Sequence, residues 1–327
     1  MSRPVTPAGN RSRLIRAALG LIALALSVVL PADPAKAEKL TLLLDWFLNP
    51  DHAPLVVAEE MGFFAAAGLE VEMIEPADPN DPPKLVAAGK ADLAVSYQPQ
   101  LHIQAARGLP LARIGTLIAT PLNTLLVLDD SPVRSIADLK GRSVGYSVGG
   151  FEDALLAAML AQHGLGLDDI ELINVNFSLS PALLSGQVDA VIGAFRNFEL
   201  NQLAIEGYKG RAFYVEEEGV PAYDELILVA HRDRLEDPRI DKFLSAVERA
   251  VQYLVNHPEE SWELFVRHRE DLDDELNRRA WRDTLPRFAL RPRALDSARY
   301  EAFAAFLLDQ GVIETSPPTE TYAVEIR

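Results

Sequence analysis

KLTLLLDWFLNPDHAPLVVAEEMGFFAAAGLEVEMIEP, residues 39–76, holds two short β-type runs on either side of an amphipathic segment. KLTLLLDW reads as a strand and VEMIEP as a second. PLVVAEEMGFFAAAGL between them reads as one helix with a glycine near its end. A strand–helix–strand unit predicts parallel neighbours in an α/β sheet. The first strand then stops abruptly, and Asp45, Trp46, Phe47, Asn49, Pro50, Asp51 and His52 follow within eight residues. A strand end buried in a core needs none of that chemistry, whereas a binding site does.

The alternation continues outward from this unit. DPPKLVAAGK is a helix with proline in its first turn, ADLAVSYQ a strand, QLHIQAARG a helix, and LARIGTLI and TLLVLDD further strands. A second block repeats the pattern, with β runs in RSVGYSV, IELINVNF, DAVIGAF, RAFYVEE and YDELILVAHR. Its helices are GGFEDALLAAMLAQHG, SPALLSGQ and NFELNQLAIEG. In IDKFLSAVERAVQYLVNH, Phe243, Leu244, Val247, Val251, Leu254 and Val255 recur close to helical spacing. Two more helices are expected around DELNRRAWRDTL and SARYEAFAAFLLDQG.

This layout predicts parallel sheets with helices on both faces, in two α/β lobes. The second lobe, residues 126–226, is inserted into the first, residues 38–125 and 227–327. The chain is expected to cross at 124–129 and return at 224–229, with a ligand in the cleft between the lobes. Two independent domains in series are the alternative. The helices from about Ile240 onward are expected to close the first lobe.

Residues 1–37 read as a leader. Arg3, Arg11, Arg13 and Arg16 precede the apolar run ALGLIALALSVVLP, and Ala35-Lys36-Ala37 is a small-x-small cleavage site. The run falls short of the ~20 residues that span a bilayer. The site carries no cysteine and the leader no twin-arginine pair, so Sec export to the periplasm with cleavage after about Ala37 is expected, without a lipid anchor.

The full chain has a formal net charge of −17. The leader carries five basic residues and one acid, so cleavage makes the protein more acidic still. Such a chain does not find nucleic acid or an anionic membrane surface by electrostatics. With no cysteine in the sequence, neither disulfides nor thiolate chemistry are open to it.

In open parallel sheets ligands bind beyond the C-terminal strand ends. Those ends supply Asp45, Trp46, Phe47, Asn49 and His52; Ser96, Tyr97 and Gln98; and Thr120 to Thr124. They also supply Ser147 to Glu152, with Gly149, Gly150 and Phe151, and Ala194 to Glu199, with Asn197. Only Arg196 is cationic, which points to a flat, neutral or weakly basic ligand. Trp46 and Tyr97 can stack on a ring, and amides and carboxylates can pair with its edge. In SVGGFEDALL the glycines let backbone approach a ligand, but Glu152 and Asp153 in the first helical turn oppose a phosphate. The six histidines show no metal-type spacing, so no metal or other cofactor is expected. His102 is the histidine expected nearest the cleft.

LDWFLNPDHAPL, GKADLAVSYQPQLHIQAARGLPLARIGTLI and LKGRSVGYSVGGFEDALL together resemble the thiamine-pyrimidine precursor-binding proteins of bacterial ABC importers. That superfamily includes the fungal-type enzyme making hydroxymethylpyrimidine phosphate. The likeness runs over most of residues 40–230. It implies a two-lobe periplasmic-binding-protein fold of type II and a monomer serving ABC permease and ATPase subunits. The implied ligand is of the formyl-aminopyrimidine type, with Glu199 and Asn197 on the ring edge, Trp46 and Tyr97 on its faces, and Asp45 on an amine substituent. In the enzyme branch a lysine that binds pyridoxal phosphate stands four positions before a histidine consumed as substrate, beside a cysteine-rich iron motif. The matching positions here are Gln98 and His102, so a binding protein and not an enzyme is implied. Other cargo, such as a flavin precursor or an alkylsulfonate, is the alternative within transport.

Overall fold

The computed structural model describes residues 1–5 and 37–326. The expected leader therefore lies almost wholly outside the described residues. From residue 37 the chain forms β1 (Glu38–Leu43), α1 (Ala53–Glu60), α2 (Phe63–Ala66), β2 (Leu69–Ile74), α3 (Pro82–Ala87), β3 (Leu93–Ser96), α4 (Gln98–Ala106) and β4 (Leu111–Ile118). Then come β5 (Asn123–Leu128), β6 (Ser143–Tyr146), α5 (Glu152–Ala161), β7 (Glu171–Asn174), α6 (Leu179–Leu184), β8 (Ala190–Phe195), α7 (Glu199–Ile205) and β9 (Gly210–Tyr214). Strand β10 (Leu226–His231) leads into α8 (Pro238–Asn256), α9 (Pro258–His268), α10 (Glu275–Thr284) and α11 (Ser297–Asp309).

Two five-stranded sheets result, ordered β2-β1-β3-β10-β4 and β7-β6-β8-β5-β9. With their helices they make the two lobes of a type II periplasmic-binding-protein fold. The expectation of wholly parallel sheets is corrected: β10 runs antiparallel to β3 and β4, and β5 antiparallel to β8 and β9. The physical reason lies in how each reversed strand is entered. The parallel strands arrive through helical crossovers and run toward the cleft, whereas β5 and β10 enter directly from the other sheet and run away from it. Their first residues, not their last, therefore lie at the cleft.

The passages between sheets are correspondingly short. Strand β5 belongs to the second sheet from Asn123 onward, so the chain passes over at 119–122, ahead of the expected 124–129. It returns between β9 and β10, and β10 lies wholly in the first sheet. The single helix expected after β1 is divided into α1 and α2 at Gly62, whose φ of +66° is left-handed. Helix α9, not foreseen, starts with Pro258 and Glu259 in its first turn and buries Trp262 and Phe265.

The C-terminal helices pack on the first lobe, and one of them also reaches the second. Helix α8 buries Ile240, Phe243, Leu244, Val247, Val251 and Leu254 on one face and packs on α1, whose Leu55, Val56 and Val57 are fully buried. Each such apolar side chain contributes roughly 1.5–3 kcal/mol. Helix α9 also packs on α1. Helix α10 bridges the lobes: it packs on the Pro50–His52 turn and, through Trp281, on Trp262 and Phe265 of α9 in the first, and on α7 of the second.

Candidate functional site

The break after β1 is organised by its own side chains. Asn49 Oδ1 accepts the Asp51 N–H at 2.8 Å, and Pro50 to His52 form one tight helical turn. His52 Nδ1 accepts the Asn49 N–H at 3.3 Å, so Nε2 carries the proton and donates to Asp45 Oδ1 at 2.8 Å. Tyr97, following β3, donates its hydroxyl to Asp45 Oδ2 at 2.8 Å. Both Asp45 oxygens are thus engaged, and the Tyr97 ring is held upright at the cleft. The other side of that ring packs on Phe151, with centroids 4.9 Å apart and planes 19° from parallel.

Two Phe–Glu pairs open the helices after β6 and β8. Glu152 and Glu199 are the first residues of α5 and α7. Each carboxyl turns back onto its strand end: Glu152 Oε2 accepts the Ser147 N–H at 2.7 Å, and Glu199 Oε2 accepts the Phe195 N–H at 2.6 Å. Strands β6 and β8 are neighbours, so both acids stand over one end of the sheet.

These residues meet in one pocket, lined by Asp45, Trp46, Asn49, Asp51, Tyr97, Glu152, Leu179, Gly193, Phe195, Phe198, Glu199 and Leu226. It holds about 440 Å³ of space between atoms, its mouth included. Four lining residues are carboxylic acids, and none is lysine, arginine or histidine. Burial pushes Asp51 up to about 6, Glu199 to about 7 and Glu152 to about 8. Glu225, the residue just before β10, is pushed by burial to about 7; its Oε2 accepts the Leu122 and Asn123 N–H groups at 2.6 and 2.9 Å. A chamber walled by four acids, three of them held above the ordinary carboxylate range by burial, suits a ligand that brings hydrogen-bond donors.

Of the residues expected in the site, Asp45, Trp46, Asn49, Tyr97 and Glu199 line this pocket. The others are placed around it. Phe151 backs Tyr97. Asn197 spans the cleft instead, its Nδ2 lying 2.6 Å from Asp51 Oδ1 and 2.7 Å from Thr284 Oγ1. Thr124 is buried and donates to the Ala194 carbonyl, bracing β5 against β8. Gln98 faces away: its Oε1 accepts the Asp224 N–H at 2.8 Å and its Nε2 meets His102 Nε2 at 3.2 Å. His102 does not face the pocket either. Its Nδ1 meets the Tyr322 hydroxyl at 2.8 Å, and burial lowers its pKa to about 3. Gly149 and Gly150 line a separate hollow with Asn80, Lys84, Gln100 and Arg107. Arg196 lies outside the pocket, paired with Glu216 at 2.7 Å and stacked 4.3 Å over Tyr214.

Sequence reasoning left Asp51, Leu179, Gly193 and Leu226 out of the wall, and named Glu152 among the strand ends without giving it a ligand contact. Asp51 stands in the opening stretch but not among the strand-end candidates. The repeated Phe-Glu at 151–152 and 198–199 was the available signal for Glu152. Leu226 was hidden because β10 starts, not ends, at the cleft.

Among solved structures, the alkanesulfonate-binding protein of Xanthomonas axonopodis pv. citri, bound to MOPS, superposes with a TM-score of 0.69. It does so at 19% identity over 88% of this chain and 99% of that one, which shows the fold. A Haemophilus influenzae protein named for thiamine biosynthesis is 57% identical over 88% of this chain and 92% of its own length. The formylaminopyrimidine-binding protein of Halalkalibacterium halodurans is 32% identical over 73% of each chain. The 4-amino-5-hydroxymethyl-2-methylpyrimidine phosphate synthase of Legionella pneumophila is 29% identical over 77% of this chain and 80% of that protein. The NMT1/THI5-like family model matches residues 49–261, from the turn after β1 into α9. That span holds the whole second sheet and all of the pocket wall except Asp45 and Trp46, and the chain belongs to the NMT1/THI5-like family.

Proposed function

We propose that this protein is the periplasmic solute-binding component of an ABC importer and captures an aminopyrimidine precursor of thiamine, of the formyl-aminomethylpyrimidine type. The observation that carries this reading is the pocket itself: four carboxyls and four aromatic side chains, Trp46, Tyr97, Phe195 and Phe198, with no lining cation. An aminopyrimidine edge presents a ring nitrogen beside an exocyclic amine. A carboxyl that keeps its proton matches both at once, its O–H donating to the nitrogen and its C=O accepting from the amine. Glu199, pushed up to about 7, has that character near neutral pH. The relative named for formylaminopyrimidine binding supports the same cargo.

A sulfonate would need a cation in the wall, and Arg196 is committed to Glu216. The synthase reading would need an amine where Gln98 stands bonded to Asp224 and His102. Capture by a monomer, and delivery to permease and ATPase subunits, follow from this reading.

The test is calorimetric titration of the purified protein, stripped of carried ligand by unfolding and refolding. The panel holds formyl-aminomethylpyrimidine, hydroxymethylpyrimidine, thiamine, riboflavin and an alkylsulfonate. Tight binding of one aminopyrimidine is expected. Heat only from riboflavin or the sulfonate would discard the pyrimidine and keep transport, and turnover of any pyrimidine would discard the binding role.

A further inference from the structure

We propose that Glu152 is a second ligand-reading residue, selecting for an N–H donor on a substituent remote from the ring edge read by Glu199. The proposal rests on the reading of the site given above. An acid at the first position of a helix ordinarily needs no more explanation than the helix dipole. A solvent-exposed acid serves that purpose equally well, yet Glu152 is 3% exposed and lines the pocket.

The neighbouring strand makes room for it. Gly193, inside β8, has φ +96°, and a Cβ placed there would overlap the Glu152 carboxyl. A glycine in a strand interior weakens the strand and marks a close approach. Among the charges acting on Glu152 the foremost is Glu225, another acid that repels it. The fold thus accepts a weakened strand and a facing acid in order to hold one carboxyl at the cleft floor. With Ser147 N–H on Oε2, the other oxygen is left for the pocket, and although burial holds the carboxyl protonated up to about pH 8, it accepts an N–H through its carbonyl oxygen or by ionising against the donor.

Glu152 and Glu199 rise from adjacent strands β6 and β8, so a single small heterocycle can address both. Glu199 takes the amidine-like edge, and Glu152 takes a donor carried on the far side of the ring. The class of ligand is narrowed accordingly: a flat aminopyrimidine whose exocyclic arm ends in an amine or amide N–H, in preference to one ending in methyl.

The experiment compares 4-amino-5-aminomethyl-2-methylpyrimidine, its N-formyl derivative and 4-amino-2,5-dimethylpyrimidine by calorimetry. The proteins are wild type, Glu152→Gln and Glu199→Gln. Glutamine at 152 still accepts from Ser147 with its carbonyl, but turns an amide donor into the pocket. Wild type is expected to favour an N–H arm over methyl by at least roughly tenfold, the worth of one hydrogen bond to a charged or acidic partner. In Glu152→Gln that preference collapses to about twofold or less, while Glu199→Gln lowers affinity for all three ligands together. If Glu152→Gln keeps the full preference, the proposal is overturned and the aminopyrimidine reading stands. If wild type binds none of the three, the functional reading falls and this one with it. A melting curve of each variant confirms that the comparison is made on folded protein.

Discussion

Asn197 Nδ2, from the second lobe, lies 2.6 Å from Asp51 Oδ1 of the first, and Thr284 of α10 closes the triangle at 2.8 and 2.7 Å. Three segments far apart in sequence thus meet at one lip of the cleft, and Asn201 donates to Asp283 beside them at 2.8 Å. These bonds join the lobes across the pocket mouth, so they belong to the closed arrangement. Replacing Asn197 by Ala removes the link and leaves Asp51 with Thr284. Ligand affinity is expected to fall roughly tenfold, about one net hydrogen bond, with little change in the melting temperature of the ligand-free protein. Calorimetry with thermal melting checks both. An unchanged affinity would show that the triangle contributes nothing to closure.

Four buried acids set a pH dependence of stability. Asp51, Glu152, Glu199 and Glu225 are raised to about 6, 8, 7 and 7 from ordinary values of 3.8 and 4.5. Between its unfolded and folded pKa, each such group holds more protons in the native state than in the unfolded chain. Stability therefore falls as pH rises through that window. The ligand-free protein is expected to melt at a higher temperature at pH 5 than at pH 8, and Glu152→Gln to flatten the slope most clearly above pH 7. Melting curves from pH 5 to 9 test this, and a slope of opposite sign would contradict the burial argument.

The same protonation governs binding. A neutral Glu199 reads an aminopyrimidine edge, whereas its anion has lost the donor. Above its pKa of about 7, affinity for a neutral aminopyrimidine should fall by up to about tenfold per pH unit. Glu199→Gln keeps a donor and an acceptor, so its weaker binding should lose most of that pH dependence. Parallel profiles in wild type and variant would remove Glu199 from the edge.

Gly193→Ala places a methyl group against the Glu152 carboxyl and forces φ of +96° on a residue with a Cβ. The expected cost is about 1–3 kcal/mol. Combining it with Glu152→Ala should recover part of that loss, because the overlap disappears and only the backbone strain stays. A double-mutant cycle by urea denaturation measures the coupling, and simple additivity would mean the two residues do not press on one another.

Gln98→Ala removes the bonds to Asp224 and His102 without touching the pocket wall. Affinity is expected to stay within about twofold of wild type, while stability falls by about 1–3 kcal/mol because buried partners lose their bonds. A large loss of affinity at unchanged stability would put Gln98 back in the site.

Much of this molecule was legible in the sequence because it is local. The β and α runs are set by hydrophobic period and by turn residues, so LARIGTLI could be recognised as a strand and IDKFLSAVERAVQYLVNH as the amphipathic part of α8. The loop after β1 was equally readable, since Asp45, Trp46 and Asn49 cannot serve a core and do line the pocket. The direction of β5 and β10 was not readable. A strand has the same side-chain pattern whichever way it runs, and only its pairing partners decide. Once β10 was reversed, Leu226 came to the pocket, with Glu225 just before it. Likewise Gln98 and Tyr97 are adjacent in sequence, yet successive side chains diverge, and the packing of α4 against Asp224 sent Gln98 away from the cleft. Sequence determined which chemistry stands at the strand ends. Tertiary structure decided which of those side chains share one chamber, because pocket membership depends on strand direction and on the approach of two lobes, and no local pattern encodes either.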